Sequence, residues 1–147
     1  MGAQVLTYES AGPDQTVKFA AEFAATLRAG DCLALHGNMG AGKTQFVRGL
    51  VEGFGGPIRR VSSPTFVLLN VYDGGRLTVY HLDAYRAGGS QDFEAIGFSE
   101  LLDQGGIVAV EWAERIAALL PPTHIEIELT PLGMSERLIR VARPVSP

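Results

Sequence analysis

The sequence predicts an α/β protein in which helices cover both faces of a sheet that mixes parallel and antiparallel strands. Two observations support this three-layer prediction. In the first half of the chain, short apolar segments alternate with amphipathic segments of helical period, which is typical of parallel strands joined by crossover helices. In the second half, two pairs of alternating segments flank turn sequences, which predicts β-hairpins and therefore antiparallel strands.

The first half of the chain begins with a predicted strand and continues with two helices separated by a buried strand. Pro13 suits the first turn of a helix, and Gly30 suits the residue at which that helix stops. The apolar run "DCLALHG" is typical of a strand buried on both faces. In chain order the predictions are strand 4–10, helix 13–30, strand 31–37 and helix 43–56.

The second half contains the two predicted hairpins and one more buried strand. The turn "DGG" separates the strands "TFVLLNVY" and "RLTVYHLD", and "PLGM" separates "THIEIELT" from "ERLIRVA". Between the hairpins we predict a helical region at 91–106, a strand at 107–112 and a helix at 113–122. We expect one domain over residues 1–147, a length sufficient for a core of its own.

The composition limits the classes of partner and compartment. A net charge of −4 argues against a broad basic surface that grips nucleic acid, so we expect contact with RNA only inside a larger assembly. Cys32 is the only cysteine, which excludes a disulfide framework and fits a reducing cytoplasm. No apolar run reaches about 18 residues and the first residues do not form a signal sequence, so we expect no membrane association.

The most specific motif is "GNMGAGKT", residues 37–44, which matches G-x-x-x-x-G-K-[ST] between an apolar strand and a helix. Its glycines allow backbone N–H groups to surround phosphates, Lys43 adds a positive charge, and the Thr44 hydroxyl is a Mg²⁺ ligand. Only Lys18 and Lys43 are lysines, which makes a chance match less plausible. The motif predicts a three-layer P-loop NTPase fold. The predicted nucleotide contacts are Asn38, Met39, Gly40, Ala41, Gly42, Lys43, Thr44 and Gln45.

A magnesium site in such a protein also needs a carboxylate at the end of a buried strand. Glu111 follows four apolar residues in "GIVAVEW" and occupies this Walker B position. Thr44 and Glu111 are therefore the predicted metal ligands. The alternative is that Glu111 is a solvated residue at a strand end. This alternative is less plausible because the next residue is Trp112, whereas a solvated strand end would continue into a polar turn.

The segment "LTVYHLDAYRAGG" places His81, Asp83 and Tyr85 at i, i+2 and i+4, so that in a strand they point to one side. Asp83 is predicted to be catalytic, as a residue that orients water, accepts a proton or binds the metal through water. His81 either orients Asp83 by a hydrogen bond or is a structural histidine. Tyr85 and Arg86 lie beyond the strand and face solvent, nucleotide or a partner.

Three further positions are candidates for the same site. In "RRVSSPTF" the residues around Pro64, Thr65 among them, occupy the place of a switch segment near the γ-phosphate, although a simple turn explains them equally well. Arg137 is a candidate to stack on the base through its guanidinium plane, or else an exposed arginine of the last hairpin. Thr16 approaches the base, or is only a helix-start residue.

Taken together, these motifs resemble the TsaE (formerly YjeE) family of bacterial P-loop ATPases over residues 5–141. The similarity lies in "GNMGAGKTQFVRGL", "VSSPTFVLLNVY", "VYHLDAYR", "IGFSELL", "IVAVEWAERI" and "ERLIRV". It implies an ATPase that supports threonylcarbamoyl modification of the tRNA adenosine next to the anticodon, acting with a TsaB–TsaD complex. It also implies that Lys43, Thr65, Asp83 and Glu111 carry the chemistry, with ATP and Mg²⁺ as ligands.

The chain departs from the family pattern at two loop positions. The family often has Asp where this chain has Asn38, and usually Thr or Ser where it has Gln45. Neither position belongs to the Lys–Thr–acid set, so we expect the site to be tuned differently rather than lost.

Two other functions remain open on the sequence. A small-molecule kinase also uses a P-loop, but it usually adds an acceptor-binding insert and an arginine-rich lid, for which this chain has little room. A nucleotide-dependent binding switch would need little hydrolysis of its own. GTP is not indicated, because the guanine-reading N-K-x-D motif is absent from the sequence.

Overall fold

The computed structural model describes residues 3–38, 40–61, 69–85, 94 and 97–144. Seven strands form one sheet in the order β1-β7-β6-β2-β5-β4-β3. In chain order the elements are β1 (Ala3–Ser10), α1 (Pro13–Ala24), β2 (Cys32–His36), α2 (Lys43–Gly53), a 3₁₀ turn (Ile58–Arg60), β3 (Leu69–Tyr72), β4 (Val79–Asp83), α3 (Phe98–Leu101), β5 (Ile107–Glu111), a 3₁₀ segment (Ala113–Leu119), β6 (Ile125–Pro131) and β7 (Arg137–Pro144).

The pairing confirms the predicted mixed sheet. β2 runs parallel to β5 on one side and to β6 on the other, and β4 runs parallel to β5. The pairs β3–β4, β6–β7 and β1–β7 are antiparallel, and the first two are the predicted hairpins. β2 leads through the glycine-rich loop into α2, as the predicted P-loop NTPase fold requires.

Side chains of β2 alternate between two hydrophobic clusters, which establishes three layers. Leu33 and Leu35 pack in the cluster that α1 and α2 cover, whereas Cys32 and Ala34 pack in the cluster beneath α3 and the 3₁₀ segment. Burial, assisted by the charges of Asp31 and Glu126, raises the pKa of the Cys32 thiol to about 12, so this cysteine is a protonated core residue.

Helices α1 and α2 pack closely because α2 presents glycines to α1. A Cβ atom at Gly49 would lie 2.3 Å from the carbonyl oxygen of Val17, and one at Gly53 would lie 2.5 Å from that of Ala21. The close contact fixes α2, and therefore the loop at its N-terminus, against the rest of the domain.

Two helix predictions need correction. The first helix ends at Ala24 rather than Gly30, because the N–H groups of Ala25, Thr26 and Leu27 bind carbonyls three residues back and tighten the chain into 3₁₀ turns. Residues 113–119 form a 3₁₀ segment rather than an α-helix. The segment is interrupted at the buried Ile116, whose φ of −127° and ψ of 30° are non-helical, so two short 3₁₀ turns meet there.

The predicted helical region at 91–106 is represented by α3 at Phe98–Leu101, and most of its N-terminal part lies outside the described residues. In the described part of the chain, no helix has both the length and the apolar character needed to cross a membrane.

Candidate nucleotide-binding site

A cavity of about 550 Å³ opens at the carboxyl ends of β2, β4 and β5, where the chain leaves β2 for α2. Parallel strands commonly bind ligands at this end of the sheet. The walls come from the start of α1, the glycine-rich loop, the strand ends and the turn between β6 and β7. The lining residues are Pro13, Thr16, Gly40, Gly42, Lys43, Thr44, Gln45, Asp83, Tyr85, Glu111, Trp112, Met134, Ser135 and Arg137.

The glycine-rich loop bends through conformations that favour glycine. Gly40 and Gly42 have φ angles of 83° and 104°. The N–H groups in the first turn of any helix have no acceptor within the helix. In the described part of the chain no side chain caps α2, so no side chain supplies the missing acceptor. Those groups and the positive end of the helix dipole form a site suited to an anion such as phosphate.

Lys43 and Glu111 form a buried ion pair inside the cavity. The Lys43 Nζ atom lies 3.7 Å from Glu111 Oε1, and each side chain is 6% exposed. The pairing follows from the fold, because β2 and β5 are adjacent and parallel, and their carboxyl ends therefore lie together. The lysine at the start of α2 is thus held beside the carboxylate at the end of β5.

Asp83 lies next to Glu111 in the sheet. The parallel register of β4 and β5 pairs Asp83 directly with Glu111, and both residues are buried. Asp83 Oδ1 accepts a hydrogen bond of 2.8 Å from the backbone N–H of Tyr85. This short local bond fixes the carboxylate where the strand ends and turns the chain at the cavity wall.

The structure gives His81 different partners from the predicted one. His81 is fully buried, and its Nε2 lies 2.6 Å from Glu111 Oε2 instead of orienting Asp83. Its Nδ1 lies 3.4 Å from the hydroxyl oxygen of Tyr72 on β3. The hydrogen-bond network therefore runs across three adjacent strands rather than along β4.

Trp112 directly follows Glu111 and has a left-handed backbone, with φ of 58° and ψ of 40°. Among the described residues it is the one non-glycine with positive φ, a strained conformation that costs of order 1–3 kcal/mol. This turn places the indole ring 4.3 Å from Lys43 Nζ, and the Tyr85 ring packs 5.0 Å from it. The Arg115 guanidinium lies over the Tyr85 ring, 4.8 Å from its centroid.

Arg137 holds the glycine-rich loop from outside. Its Nε and Nη2 donate to the carbonyls of Ala41 and Gly40 at 3.0 and 3.1 Å. Its Nη1 donates to carbonyls of the β6–β7 turn, from Gly133, Met134 and Glu136. The guanidinium predicted to stack on a base is thus occupied by backbone carbonyls, although the side chain still lines the cavity.

The other predicted nucleotide contacts fall into three groups. Thr16, Gly40, Gly42, Lys43, Thr44 and Gln45 line the cavity, and the Thr16 hydroxyl is 2.8 Å from that of Ser10. Ala41 is buried, and Asn38 lines a smaller depression on the far side of the loop. Met39 and Thr65, together with Ser63, Pro64 and Arg86, lie outside the described residues.

The residues predicted as metal ligands meet the chemical requirements for Mg²⁺. Thr44 supplies a hydroxyl oxygen and Glu111 a carboxylate, and both line the same cavity. Sequence reasoning missed three contributions to this site: the Tyr72 hydroxyl, the Trp112 ring over Lys43, and the bonds from Arg137 to the loop. Only the Glu–Trp dipeptide gave a signal, since Trp112 stands where a solvated strand end would continue into a polar turn.

Comparisons with known proteins show what this chain is similar to. A family model described as "Threonylcarbamoyl adenosine biosynthesis protein TsaE" matches residues 10–139. A protein from Treponema pallidum named tRNA threonylcarbamoyladenosine biosynthesis protein TsaE is 44% identical over 116 residues, covering 79% of this chain and 84% of that protein. A protein of the same name from Bacillus subtilis is 38% identical over 134 residues, covering 91% and 83%.

A solved structure is also similar. The crystal structure of YdiB from Bacillus subtilis matches with a TM-score of 0.80 and 31% sequence identity, covering 97% of this chain and 88% of that one. Because the family model and these relatives each span most of its length, the chain belongs to the TsaE family.

Proposed function

We propose that this protein binds ATP with Mg²⁺ and hydrolyses the γ-phosphate bond in support of tRNA threonylcarbamoyladenosine biosynthesis. The observation that supports it best is the meeting of three groups in one cavity. Lys43, at the start of an uncapped helix, lies 3.7 Å from Glu111, and Asp83 is paired with Glu111 in the sheet register. The names of the similar proteins support the pathway.

Phosphate binding is assigned to the loop and the first turn of α2. Backbone N–H groups there would surround the phosphates, and Lys43 would leave Glu111 to contact the β- and γ-phosphates. Thr44 and Glu111 would hold Mg²⁺, which when bound neutralises charge on the phosphate oxygens. Arg137 keeps the loop in shape through the carbonyls of Gly40 and Ala41.

Asp83 is assigned to the attacking water. Its carboxylate is buried, lines the cavity and is fixed by the N–H of Tyr85, so it is positioned to orient a water molecule or accept its proton. Attack in line with the bond that breaks would release ADP and inorganic phosphate. Thr65 stays a candidate for the γ-phosphate side of the site.

We further propose that the protein works in the cytoplasm with a protein complex of the TsaB–TsaD type. The net charge of −4 supports tRNA contact through that complex rather than through this chain. Turnover is expected to be weak alone and to rise when the partners are added.

The deciding experiment measures ATP turnover by the purified protein, with and without a TsaB–TsaD complex, and with a Lys43→Ala variant as the control. We expect Mg²⁺-dependent release of phosphate that needs no added acceptor, rises with the partners and is lost in the variant. Strict dependence on an added small molecule would indicate a kinase. ATP binding that changes partner affinity, with no turnover even in the complex, would indicate a binding switch.

A further inference from the structure

We propose that His81 is a positioning residue for Glu111. It binds one carboxylate oxygen, Oε2, inside the protein and leaves the other, Oε1, to face the ligand side of the cavity. This inference rests on the proposed function in one respect, namely that Oε1 is the oxygen available to a Mg²⁺–nucleotide. The hydrogen bonds on which it depends belong to the protein alone.

The two oxygens of Glu111 have different partners. Oε2 is 2.6 Å from His81 Nε2, which is a short hydrogen bond, and His81 is fully buried. Oε1 is 3.7 Å from Lys43 Nζ, which is an ion-pair contact without a short hydrogen bond. The His81 bond is therefore the fixed one, and the Lys43 contact is the one that a phosphate can replace.

The direction of the His81 bond follows from the chemistry of the two groups. A carboxylate only accepts hydrogen bonds, so the proton must lie on Nε2 of the imidazole. In the neutral ring Nδ1 is then an acceptor, and the Tyr72 hydroxyl, at 3.4 Å, is placed to donate to it. Glu111 thus requires the tautomer with the proton on Nε2, and the Tyr72 hydroxyl is compatible with it.

The fold explains why one histidine can connect these groups. Tyr72, His81 and Glu111 lie on β3, β4 and β5, which are adjacent in the sheet. His81 is paired with Asn70 on one side and Ala109 on the other. Tyr72 and Glu111 are each two residues further along, the diagonal positions on the same face that long side chains reach.

The function of such an anchor is to restrict the carboxylate to one orientation. Without His81, Glu111 can rotate, and neither of its oxygens is held at a fixed place for the metal. Hydrogen bonds of this kind commonly change metal affinity by about 10- to 100-fold when they are removed. We therefore expect the change to appear in the Mg²⁺ dependence of nucleotide binding rather than in nucleotide binding itself.

The test compares His81→Gln with His81→Leu by calorimetric titration of AMP-PNP, an ATP analogue that resists hydrolysis, with and without Mg²⁺. Gln retains an N–H donor at about the reach of Nε2, whereas Leu has similar bulk and no donor. In His81→Leu we expect the gain in affinity from Mg²⁺ to fall by about 10- to 100-fold, with Mg²⁺-free affinity little changed. His81→Gln is expected to restore most of that gain.

Failure of this inference is distinct from failure of the proposed function. If the wild-type protein does not bind AMP-PNP at all, the proposed function is wrong. If it binds with a clear gain from Mg²⁺ and His81→Leu keeps the same gain, the positioning role of His81 is wrong.

A second measurement does not depend on any His81 variant folding. Nitrogen NMR of the nucleotide-free wild-type protein reports which ring nitrogen of His81 carries the proton. We expect a protonated Nε2 and an unprotonated Nδ1, with the signal changed in Tyr72→Phe. The opposite tautomer in the wild-type protein would overturn the proposal, because Glu111 would then have no donor from His81.

Discussion

Lys43 Nζ lies 3.7 Å from Glu111 Oε1, and both side chains are almost completely shielded from solvent. The contact joins the residue that begins α2 to the residue that ends β5. Each charge offsets the other, and removal of Glu111 leaves the Lys43 ammonium buried without its carboxylate. On the proposed function, a phosphate that binds Lys43 competes with Glu111 for the same ammonium group.

Replacement of Glu111 by Gln should have opposite effects on binding and on turnover. Without Mg²⁺, Gln no longer competes with phosphate for Lys43, so we expect nucleotide affinity to rise roughly tenfold, about 1.4 kcal/mol. With Mg²⁺ the metal ligand is lost, and phosphate release should fall below detection. Calorimetry with and without Mg²⁺, followed by a phosphate-release assay, measures both effects.

Glu114→Gln is the matched control for this prediction, because Glu114 is exposed, lies three residues further along and pairs with His36 instead. Glu114→Gln should leave both the Mg²⁺-free nucleotide affinity and the rate of phosphate release unchanged. If Mg²⁺-free affinity also fell in Glu111→Gln, the carboxylate would be a structural support for Lys43 rather than a competitor of phosphate.

Asp83→Asn tests the proposed role of Asp83 while the turn is preserved. Asn keeps the Oδ1 acceptor for the N–H of Tyr85, so the local structure should remain. Loss of a group that orients or deprotonates water commonly lowers turnover by about 10²- to 10⁴-fold. We expect that loss in the presence of partners, with nucleotide affinity unchanged within about threefold. Turnover at the wild-type rate would exclude Asp83 from the chemistry.

Arg137→Lys should weaken nucleotide binding because it loosens the glycine-rich loop, and not because Arg137 contacts the base. Lys cannot reproduce the fork that donates to the carbonyls of Gly40 and Ala41, and each lost hydrogen bond costs about 0.5–1.5 kcal/mol net. For the two bonds together we expect roughly a 5- to 150-fold loss of affinity, similar for ATP and GTP. Arg140→Lys, an exposed position of the same strand, is the control. A loss confined to adenine nucleotides would instead support base stacking.

The individual strands and both hairpins follow from local sequence patterns, whereas the strand order of the whole sheet and the site contacts do not. Periodicity and turn residues identify β4 and β5, and the P-loop motif identifies the cavity. The bond from His81 to Glu111 joins residues 30 apart, and that from Arg137 to the loop joins residues 96 apart. Such partners depend on which strands become neighbours and in which register, information that no short segment contains.

The two incorrect helix predictions have a similar origin. Apolar spacing identified which residues of 113–119 are buried but not the type of helix, because Ala113 and Ile116 satisfy both a three-residue and a 3.6-residue period. The backbone is interrupted at Ile116, whose φ of −127° and ψ of 30° are non-helical, and the apolar spacing contains no signal for that break.

Gly49→Ala should destabilise the protein although alanine is the better helix former. The new methyl group would lie 2.3 Å from the Val17 carbonyl oxygen and 2.5 Å from Ala20 Cβ, so α1 and α2 must separate. Such overpacking costs about 1–3 kcal/mol, which exceeds the gain of about 1 kcal/mol in helix propensity. Urea unfolding measures the net loss. Gly12→Ala, where the added methyl meets nothing within 4 Å, should change stability far less.

Glu126 should make the stability of the domain depend on pH in the acid range. Burial acts to raise the pKa of Glu126, but hydrogen bonds and charge interactions with His124 and His36 outweigh it, so the pKa lies below its ordinary value of 4.5. A carboxyl group with a lowered pKa contributes stability above its unfolded-state pKa, and this contribution disappears as pH falls through the folded-state value.

We therefore expect the urea midpoint of the wild-type protein to exceed that of Glu126→Gln at pH 6, and the difference to vanish towards pH 3. Glu128→Gln, at an exposed position of the same strand, serves as the control and should follow the wild-type profile. A constant gap between wild type and Glu126→Gln over this range would show that Glu126 stabilises the fold through packing rather than through its charge. The same outcome would indicate that His36, the residue immediately before the glycine-rich loop, is not held by an ionised partner.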